Sequence, residues 1–330
     1  MHFLTRLFNY FKRTGFILAL VRPHLSDRDI TQWYPDWIYG VMETDEVRNR
    51  AYRGAIRDAV SNKLVLELGT GRKALWATIC AKAGARKVYA LEANPTSYES
   101  SLKYLKDNAV ENVELLYGFS DRLEVPERCE VLVHDLIGSI GSAEGMVAFI
   151  EDVKRRMLTP DAVHIPRRCT TYAVLTEDPR LRLRETIFSY CARGFKRFDS
   201  LSFVRFFGFP ASAVLSEPKI FEDIAFDAAP ELQNNRQLRF EIMRDGQLRG
   251  VCFFIRLHLD ETNCVDTWKH RTNWSIPYVR LKAATPVKKG DLVEVGVRAD
   301  ISGNPTYSLR LTHTRGTTTR EIGTDSWSGS

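Results

Sequence analysis

The chain has 330 residues and a mass of 37.8 kDa, which corresponds to about two domains at roughly 150 residues each. Hydrophobic residues make up 44% and charged residues 27% of it, which excludes a disordered, collagenous or disulfide-scaffold chain. The net charge of +6, from 47 basic and 41 acidic side chains, is too mild to indicate a nucleic-acid partner by itself.

The first 21 residues, MHFLTRLFNYFKRTGFILALV, contain no acidic residue. Their apolar residues fall at helical spacing with basic residues between them, which predicts an amphipathic basic helix within region 1–32. The longest apolar run, residues 16–21, is far shorter than the roughly 20 residues that a bilayer requires, and no small-residue cleavage site follows it. We expect this helix to pack on its own domain or on a partner subunit, with a membrane-surface helix as the alternative.

Strands and helices then alternate from residue 33 to residue 165. The run KLVLELGTG at 63–71 predicts a buried strand followed by a glycine turn. The alternation is typical of an α/β fold with a Rossmann-like, doubly wound parallel sheet. Further strands are predicted at 87–91, 113–117, 131–134 and 162–165, and helices at 74–83, 98–108 and 146–157.

After residue 165 short β-type runs dominate and turn signals separate them, which predicts an antiparallel β-barrel or sandwich domain over 166–315. Residues 179–207 are aromatic-rich and helical in pattern, like an insertion between strands. The polar residues 316–330 predict a flexible tail. The β-type runs lie at 170–175, 236–244, 250–258, 275–281, 292–299 and 307–312.

The glycine turn predicts a nucleotide site. Gly69 and Gly71 follow a strand and precede a helix, and Glu92 ends the next strand, where an acid binds ribose hydroxyls. These features fit either a dinucleotide or S-adenosylmethionine. Glu67 favours S-adenosylmethionine, because a carboxylate there suits a cationic methionine group and would repel a pyrophosphate. Asp121, after the third strand, is placed to accept the adenine amino group. A turn without a ligand is the remaining alternative.

A second candidate feature is the small-residue loop that follows the fourth strand. Asp135 and Glu144 bracket this loop at the carboxyl end of the sheet, where ligands bind in such folds. Two carboxylates there are able to clamp a guanidinium through bidentate hydrogen bonds. The alternative is that Asp135 caps a turn and Glu144 caps a helix, without chemistry. The scattered cysteines and histidines predict no metal site, and free thiols in a reducing, cytoplasmic compartment.

Together these motifs resemble the protein arginine methyltransferases, a family of class I S-adenosylmethionine-dependent methyltransferases, over residues 33–313. The matching stretches include VLELGTG at 65–71, AKAGARKVYALE at 81–92 and METDEVRNRAY at 42–52. The resemblance implies that Arg48 holds the methionine carboxylate and that Met42 lines the methyl-transfer site. It also implies a homodimer through an arm at 179–207.

On the acceptor side the resemblance implies that Asp135 and Glu144 replace the family's two glutamates and that Met146 flanks the acceptor. The run KHRTNW at 269–274 resembles the family's Thr-His-Trp loop and implies acceptor contacts from Asn273 and Trp274. The chain departs from the family pattern where Lys73 replaces a third glycine, His134 a serine, Asp135 a glutamate and Asn273 a histidine.

We therefore predict an S-adenosylmethionine-dependent N-methyltransferase that acts on a guanidino or arginine-type nitrogen of a protein, peptide or free amino acid. Two alternatives stay open. The departures at Asp135 and Asn273 suit methylation of another small-molecule or peptide nucleophile, as in natural-product tailoring. Lys73 in the glycine turn suits a non-catalytic scaffold. Basic residues cluster at 155–156 and 193–197, but no RNA-binding motif accompanies them. No nucleic-acid partner is therefore expected.

Overall fold

The computed structural model describes residues 36–178, 203–206 and 208–328. The predicted N-terminal helix and most of the predicted arm, residues 179–202, lie outside these ranges. The chain divides into two compact units, Met1–Asp135 with Val153–Ile165 and Leu136–Asp152 with Pro166–Ser330. Within the described ranges, no helix is both long and apolar enough to cross a membrane.

The first unit is built on a parallel five-stranded sheet of order β3-β2-β1-β4-β5, which confirms the Rossmann-like prediction. All five residues of the central strand β1 are buried, as the apolar run predicted. The strand order reverses beside β1, and in such sheets ligands bind at the carboxyl ends of the strands at this point. The elements are α1 (Asp36–Glu43), α2 (Glu46–Ala59), β1 (Leu64–Leu68), α3 (Leu75–Lys82), β2 (Lys87–Glu92), α4 (Pro95–Asp107), β3 (Val113–Tyr117), β4 (Cys129–His134), α5 (Met146–Met157), within which the division between the units falls, and β5 (Leu158–Ile165).

Helix α4 begins three residues before the predicted start at residue 98. Asn94 caps it, because its side chain accepts a hydrogen bond from the amide of Ser97, and Pro95 occupies the first turn. An Asn-Pro pair is a helix start signal, since proline lacks the amide hydrogen that the first turn leaves unpaired.

The second unit contains two antiparallel sheets, as predicted; that they close into a barrel stays a prediction. One sheet has the order β7-β12-β10-β6-β8, with β11 paired to β10, and the other has the order β15-β14-β13-β9. The strands are β6 (Arg168–Thr176), β7 (Phe203–Phe206), β8 (Lys219–Ala225), β9 (Gln233–Glu241), β10 (Gly246–His258), β11 (Cys264–Asp266), β12 (Ile276–Val287), β13 (Leu292–Asp300), β14 (Thr306–Arg315) and β15 (Thr318–Ser328).

Two predictions for the second unit are wrong. Residues 203–206, placed in the helical insertion, form strand β7 against β12. The predicted flexible tail contains β15, which pairs with β14 along its length. The polar composition of β15 concealed it, because one aromatic side chain supplies its packing. Trp327 stacks on Tyr307 with ring centroids 5.4 Å apart and lies 5.9 Å from the ring of Phe253.

We predict that Trp327→Ala lowers the free energy of unfolding by about 2 kcal/mol, since the half-buried indole is the main apolar anchor of β15. Trp327→Phe, which keeps an aromatic ring, is the control and loses less. Urea denaturation measures both values. A loss below about 0.5 kcal/mol in the alanine variant contradicts the packing role and restores the flexible tail.

Candidate active site

The glycine turn follows the central strand of the first unit and lies against helix α1. Gly69 and Gly71 have φ angles of 74° and 68°, a region that favours glycine. The amide of Gly69 donates to the carbonyl of Leu91, 3.0 Å away, which ties the turn to the end of β2. A Cβ atom on Gly71 would lie 3.1 Å from the ring of Tyr39 in α1, so the turn is also closely covered.

Glu92 ends β2 with its carboxylate held at the glycine turn. One oxygen accepts a hydrogen bond from the amide of Gly71 at 2.6 Å, and the other accepts one from the amide of Asn94 at 2.7 Å. The side chain is 4% exposed, and burial raises its pKa, while the amide hydrogen bonds oppose the rise. Two fixed donors therefore orient this carboxylate at the place where the sequence predicted a ribose-binding acid.

Glu67 lies deeper than the sequence prediction assumed. Its side chain is fully buried in β1, where Oε2 accepts a hydrogen bond from the Thr70 hydroxyl at 2.8 Å. Burial raises the pKa of Glu67 from the usual 4.5 to about 7. A carboxyl group with this pKa is partly protonated at neutral pH and lies behind the glycine turn.

The raised pKa of Glu67 predicts a measurable pH dependence of stability. The unfolded chain loses this proton near pH 4.5 and the folded chain near pH 7, so the wild type loses stability relative to Glu67→Gln as pH rises through that window. We expect the difference between variant and wild type to change by about 3 kcal/mol. Denaturant unfolding at pH 4.5 and pH 8 measures it. A difference that does not change with pH contradicts the raised pKa.

Arg48 and Asp135 form a buried ion pair. The Nε and Nη2 atoms of Arg48 both donate to Oδ2 of Asp135, with Nε at 2.7 Å, and the two side chains are 3% and 6% exposed. The hydroxyl of Tyr52 donates to the other carboxylate oxygen at 3.0 Å. The guanidinium carbon lies 4.7 Å from the centre of the Trp76 ring, which itself stacks on Tyr52. Burial raises the pKa of Asp135, and the Arg48 charge opposes the rise.

The remaining contacts of Arg48 lie on helices α1 and α2. Its Nη1 donates to the carbonyl of Met42 at 2.9 Å and to Oδ1 of Asn49 at 2.8 Å. Among the described residues, these contacts and those to Asp135 use four of the five guanidinium hydrogens. The sequence predicted different ligands for Arg48 and Asp135, whereas in the structure each is the other's partner.

We predict that Asp135→Asn and Arg48→Met each lower the free energy of unfolding by about 3 kcal/mol, because each leaves a buried charge without its partner. The double variant leaves no unpaired charge, so it loses less than the sum of the two, with a coupling energy of about 2 kcal/mol. Chemical denaturation of the four proteins measures the cycle. Additive losses would show that the ion pair contributes nothing.

Two further residues of the first unit occupy surface positions. Lys73, where the family pattern has glycine, reaches Glu43 of α1 with 2.8 Å between Nζ and Oε2. This ion pair fastens α1 beside the turn and gives the departure from glycine a structural role. Asp121 is exposed on a short 3-10 turn, Ser120–Arg122, after β3.

In the second unit, residues 136–144 form the loop that follows Asp135, and hydrogen bonds fix its first half. The indole nitrogen of Trp274 donates to the carbonyl of Ile137 at 2.7 Å. The hydroxyls of Ser139 and Ser275 lie 3.0 Å apart. Trp274 is buried. The sequence predicted that Trp274 contacts the acceptor, and the structure places its indole on the loop that carries Glu144.

The second half of the loop is fixed by Glu222, which sequence reasoning missed. Its carboxylate accepts hydrogen bonds from the amide and the hydroxyl of Ser142 and from the hydroxyl of Thr171. A register shift between β6 and β8 opposite this residue leaves both Phe221 and Glu222 buried. Simple alternation along β8 would expose one of the two, so the strand pattern concealed Glu222.

The remaining predicted acceptor residues differ in exposure. Glu144 is exposed at the end of the 3-10 turn Gly141–Glu144, and Gly145 follows it with a φ of 69°. Met146 begins α5 and is 1% exposed, so its side chain belongs to the core. Asn273 is half-buried next to Trp274. In the part of the chain that the structure describes, no group of His, Cys, Asp and Glu residues has the arrangement of a metal site.

Comparison with known proteins gives a family match for residues 34–165. Residues 34–165 match the family model described as PRMT5 arginine-N-methyltransferase. This segment of the chain therefore resembles the protein arginine methyltransferases. Protein arginine N-methyltransferase 6 of Danio rerio is 30% identical over 145 residues, 43% of this chain and 41% of that protein. Probable protein arginine N-methyltransferase 6 of Arabidopsis thaliana is 25% identical over 163 residues, 48% of this chain and 37% of that protein. The matched region thus spans well under half the length of these curated relatives.

Solved structures share the fold over most of the chain. Arabidopsis thaliana protein arginine methyltransferase 10 has a TM-score of 0.74 at 19% identity, and the match covers 88% of this chain and 97% of that one. A Trypanosoma brucei PRMT1 enzyme-prozyme heterotetrameric complex with AdoHcy also gives a TM-score of 0.74, at 17% identity and the same coverage. The two-part architecture predicted from the arginine methyltransferase resemblance is confirmed at the level of the fold.

Proposed function

We propose that this chain transfers a methyl group from S-adenosylmethionine to a guanidino nitrogen of arginine, in a protein, a peptide or the free amino acid. The observation that carries the proposal is the Glu92 carboxylate held at the Gly71 turn, inside the segment that matches an arginine-N-methyltransferase family model. The named relatives are arginine methyltransferases, so tailoring of a different nucleophile is not favoured.

The residues of the first unit fit the methyl donor. Glu92 is fixed by two amides and keeps lone pairs for ribose hydroxyls. Gly71 has no Cβ, which suits close approach of a nucleotide to the backbone. Arg48 would hold the methionine carboxylate with its remaining Nη2 hydrogen, Asp121 would contact the adenine and Met42 would line the transfer site. When bound, S-adenosylmethionine would supply an electrophilic methyl group, whose bond to the sulfonium sulfur breaks on transfer to leave S-adenosyl-L-homocysteine.

The ion pair changes the roles that the sequence suggested for the two acids. Asp135 receives Arg48 on one oxygen and Tyr52 on the other, so in this proposal it fixes Arg48 rather than the acceptor. Glu144 is exposed and becomes the acid that binds the acceptor guanidinium. Its negative charge orients the cation and localises a lone pair on the attacking nitrogen. The proton leaves the methylated nitrogen through this carboxylate or water.

The proposal extends to assembly and location. Residues 179–207 carry apolar side chains such as Leu181, Ile187 and Phe195, and we propose that they join two copies in a homodimer. The Trypanosoma brucei relative, in contrast, is a heterotetrameric complex. The cysteines Cys80, Cys129, Cys169, Cys252 and Cys264 are free thiols, which supports a reducing, cytoplasmic location.

The role of Glu144 is tested by Glu144→Gln, which keeps the shape and removes the charge. We expect kcat to fall at least about 100-fold, or roughly 2.7 kcal/mol of transition-state stabilisation, with donor affinity unchanged. Steady-state transfer of labelled methyl to arginine peptides and free arginine measures turnover, and calorimetry measures donor affinity.

Glu294→Gln is the matched control, because Glu294 is an exposed glutamate on β13 of the same unit. It should keep wild-type turnover. If Glu144 only caps the turn and α5, its glutamine variant loses about 1 kcal/mol of stability and keeps near-normal turnover. That result would remove Glu144 from the catalytic residues.

A further inference from the structure

A buried hydrogen-bond network in the second unit ends on the turn that carries Glu144. Glu222 Oε1 accepts from the amide of Ser142 at 3.0 Å and from the hydroxyl of Thr171 at 3.2 Å, and Oε2 accepts from the Ser142 hydroxyl. The Ser142 hydroxyl also lies 2.6 Å from the hydroxyl of Tyr307 on β14. The Thr171 hydroxyl in turn accepts from the amide of Gly141, 3.0 Å away. Two consecutive residues of the turn are therefore bound through this network.

The network lies in the interior of the unit. Glu222 is 6% exposed, and Ser142 is fully buried. Among the described residues, the groups that donate hydrogen bonds to Glu222 are the amide and hydroxyl of Ser142 and the hydroxyl of Thr171, and none of them is cationic. Burial raises the pKa of Glu222, and its hydrogen bonds and the charge of Arg236 oppose the rise without cancelling it. A buried carboxylate without a cationic hydrogen-bond partner costs free energy, and an apolar residue at the same place would avoid that cost. Stability alone thus gives a poor account of a glutamate at this position.

Steric fit shows how tightly the turn is seated. A Cβ atom on Gly141 would lie 2.8 Å from the sulfur of Cys169 and 3.0 Å from Oε1 of Glu222, so only glycine fits there. Ser142 and Glu144 belong to one 3-10 turn, Gly141–Glu144, in which Ser142 precedes Glu144 by two residues. Fixing Ser142 at both its amide and its hydroxyl therefore fixes the backbone that directs the Glu144 side chain.

We propose that Glu222 is a positioning residue that acts through Ser142 to hold Glu144 in the geometry needed for the acceptor guanidinium. This rests on the proposed function, since it assigns Glu144 to the acceptor. A catalytic group must be held within about 0.5 Å, and a displacement of about 1 Å is able to cost 100-fold in rate. This role would account for a buried glutamate at position 222 despite the free-energy cost of burying it.

Two variants test the proposal. Ser142→Ala removes the hydroxyl bonds to Glu222 and Tyr307 and keeps the amide bond. Glu222→Gln keeps one acceptor oxygen and loses the charge. We expect kcat for arginine methylation to fall at least about tenfold in each, with donor affinity by calorimetry unchanged. Because one acceptor oxygen remains, Glu222→Gln should retain more activity than Glu222→Leu, if the latter folds.

Asp291→Asn is the matched control for a merely structural effect. Asp291 is also a buried carboxylate of the second unit, bound by His313 and Arg315, and none of its described contacts reaches the loop 136–144. All assays run well below every melting temperature. We expect this control to lower the melting temperature without lowering kcat.

Amide hydrogen exchange over residues 136–145 gives a readout that does not depend on turnover. Exchange should quicken in Ser142→Ala and Glu222→Gln and stay unchanged in Asp291→Asn. Wild-type kcat or wild-type exchange in the Ser142 and Glu222 variants would overturn the positioning role. If the wild-type protein methylates no arginine acceptor, the proposed function is overturned instead. Slower exchange of residues 136–145 in the wild type than in the Ser142 and Glu222 variants would then still identify Glu222 as the anchor of the turn.

Discussion

The buried ion pair between Arg48 and Asp135 is the interaction on which the candidate site depends. It ties helix α2 to the residue that follows β4, and Asp135 is the last residue of the first unit before the chain enters the second. A buried pair of this kind is costly to form and more costly to break, so it favours one arrangement over its alternatives. The same guanidinium holds the carbonyl of Met42, which couples α1 to the pair.

Each unit fixes its own part of the proposed chemistry with buried polar groups. In the first unit backbone amides hold Glu92 at the glycine turn. In the second unit Trp274 and Glu222 hold the two halves of the loop that ends at Glu144. The residues proposed to meet the reactants are thus supported by partners with little freedom to move. This is the arrangement expected where catalysis depends on alignment more than on a strong acid or base.

Sequence patterns predicted the first unit well because its central strands β1, β2 and β4 are largely buried and its glycine turn has few structural solutions. The strand at 64–68, the turn at Gly69 and Gly71 and the acid at Glu92 all follow from local pattern. Patterns performed less well in the second unit. The bulge that buries Glu222 and the single tryptophan that anchors β15 are decided by cross-strand contacts, which no local period reveals. Local sequence patterns also did not predict the ion pair between Asp135 and Arg48, because these residues are 87 positions apart in the chain.

The identity of the methylated atom tests the proposed arginine methylation most directly. Purified protein is incubated with isotopically labelled S-adenosylmethionine and arginine-containing peptides, with free arginine and with lysine peptides as comparison acceptors. Fragmentation mass spectrometry then locates the label. We expect label on a guanidino nitrogen of arginine and none on lysine. Label on any other atom, or donor binding without transfer to any of these acceptors, would contradict this expectation.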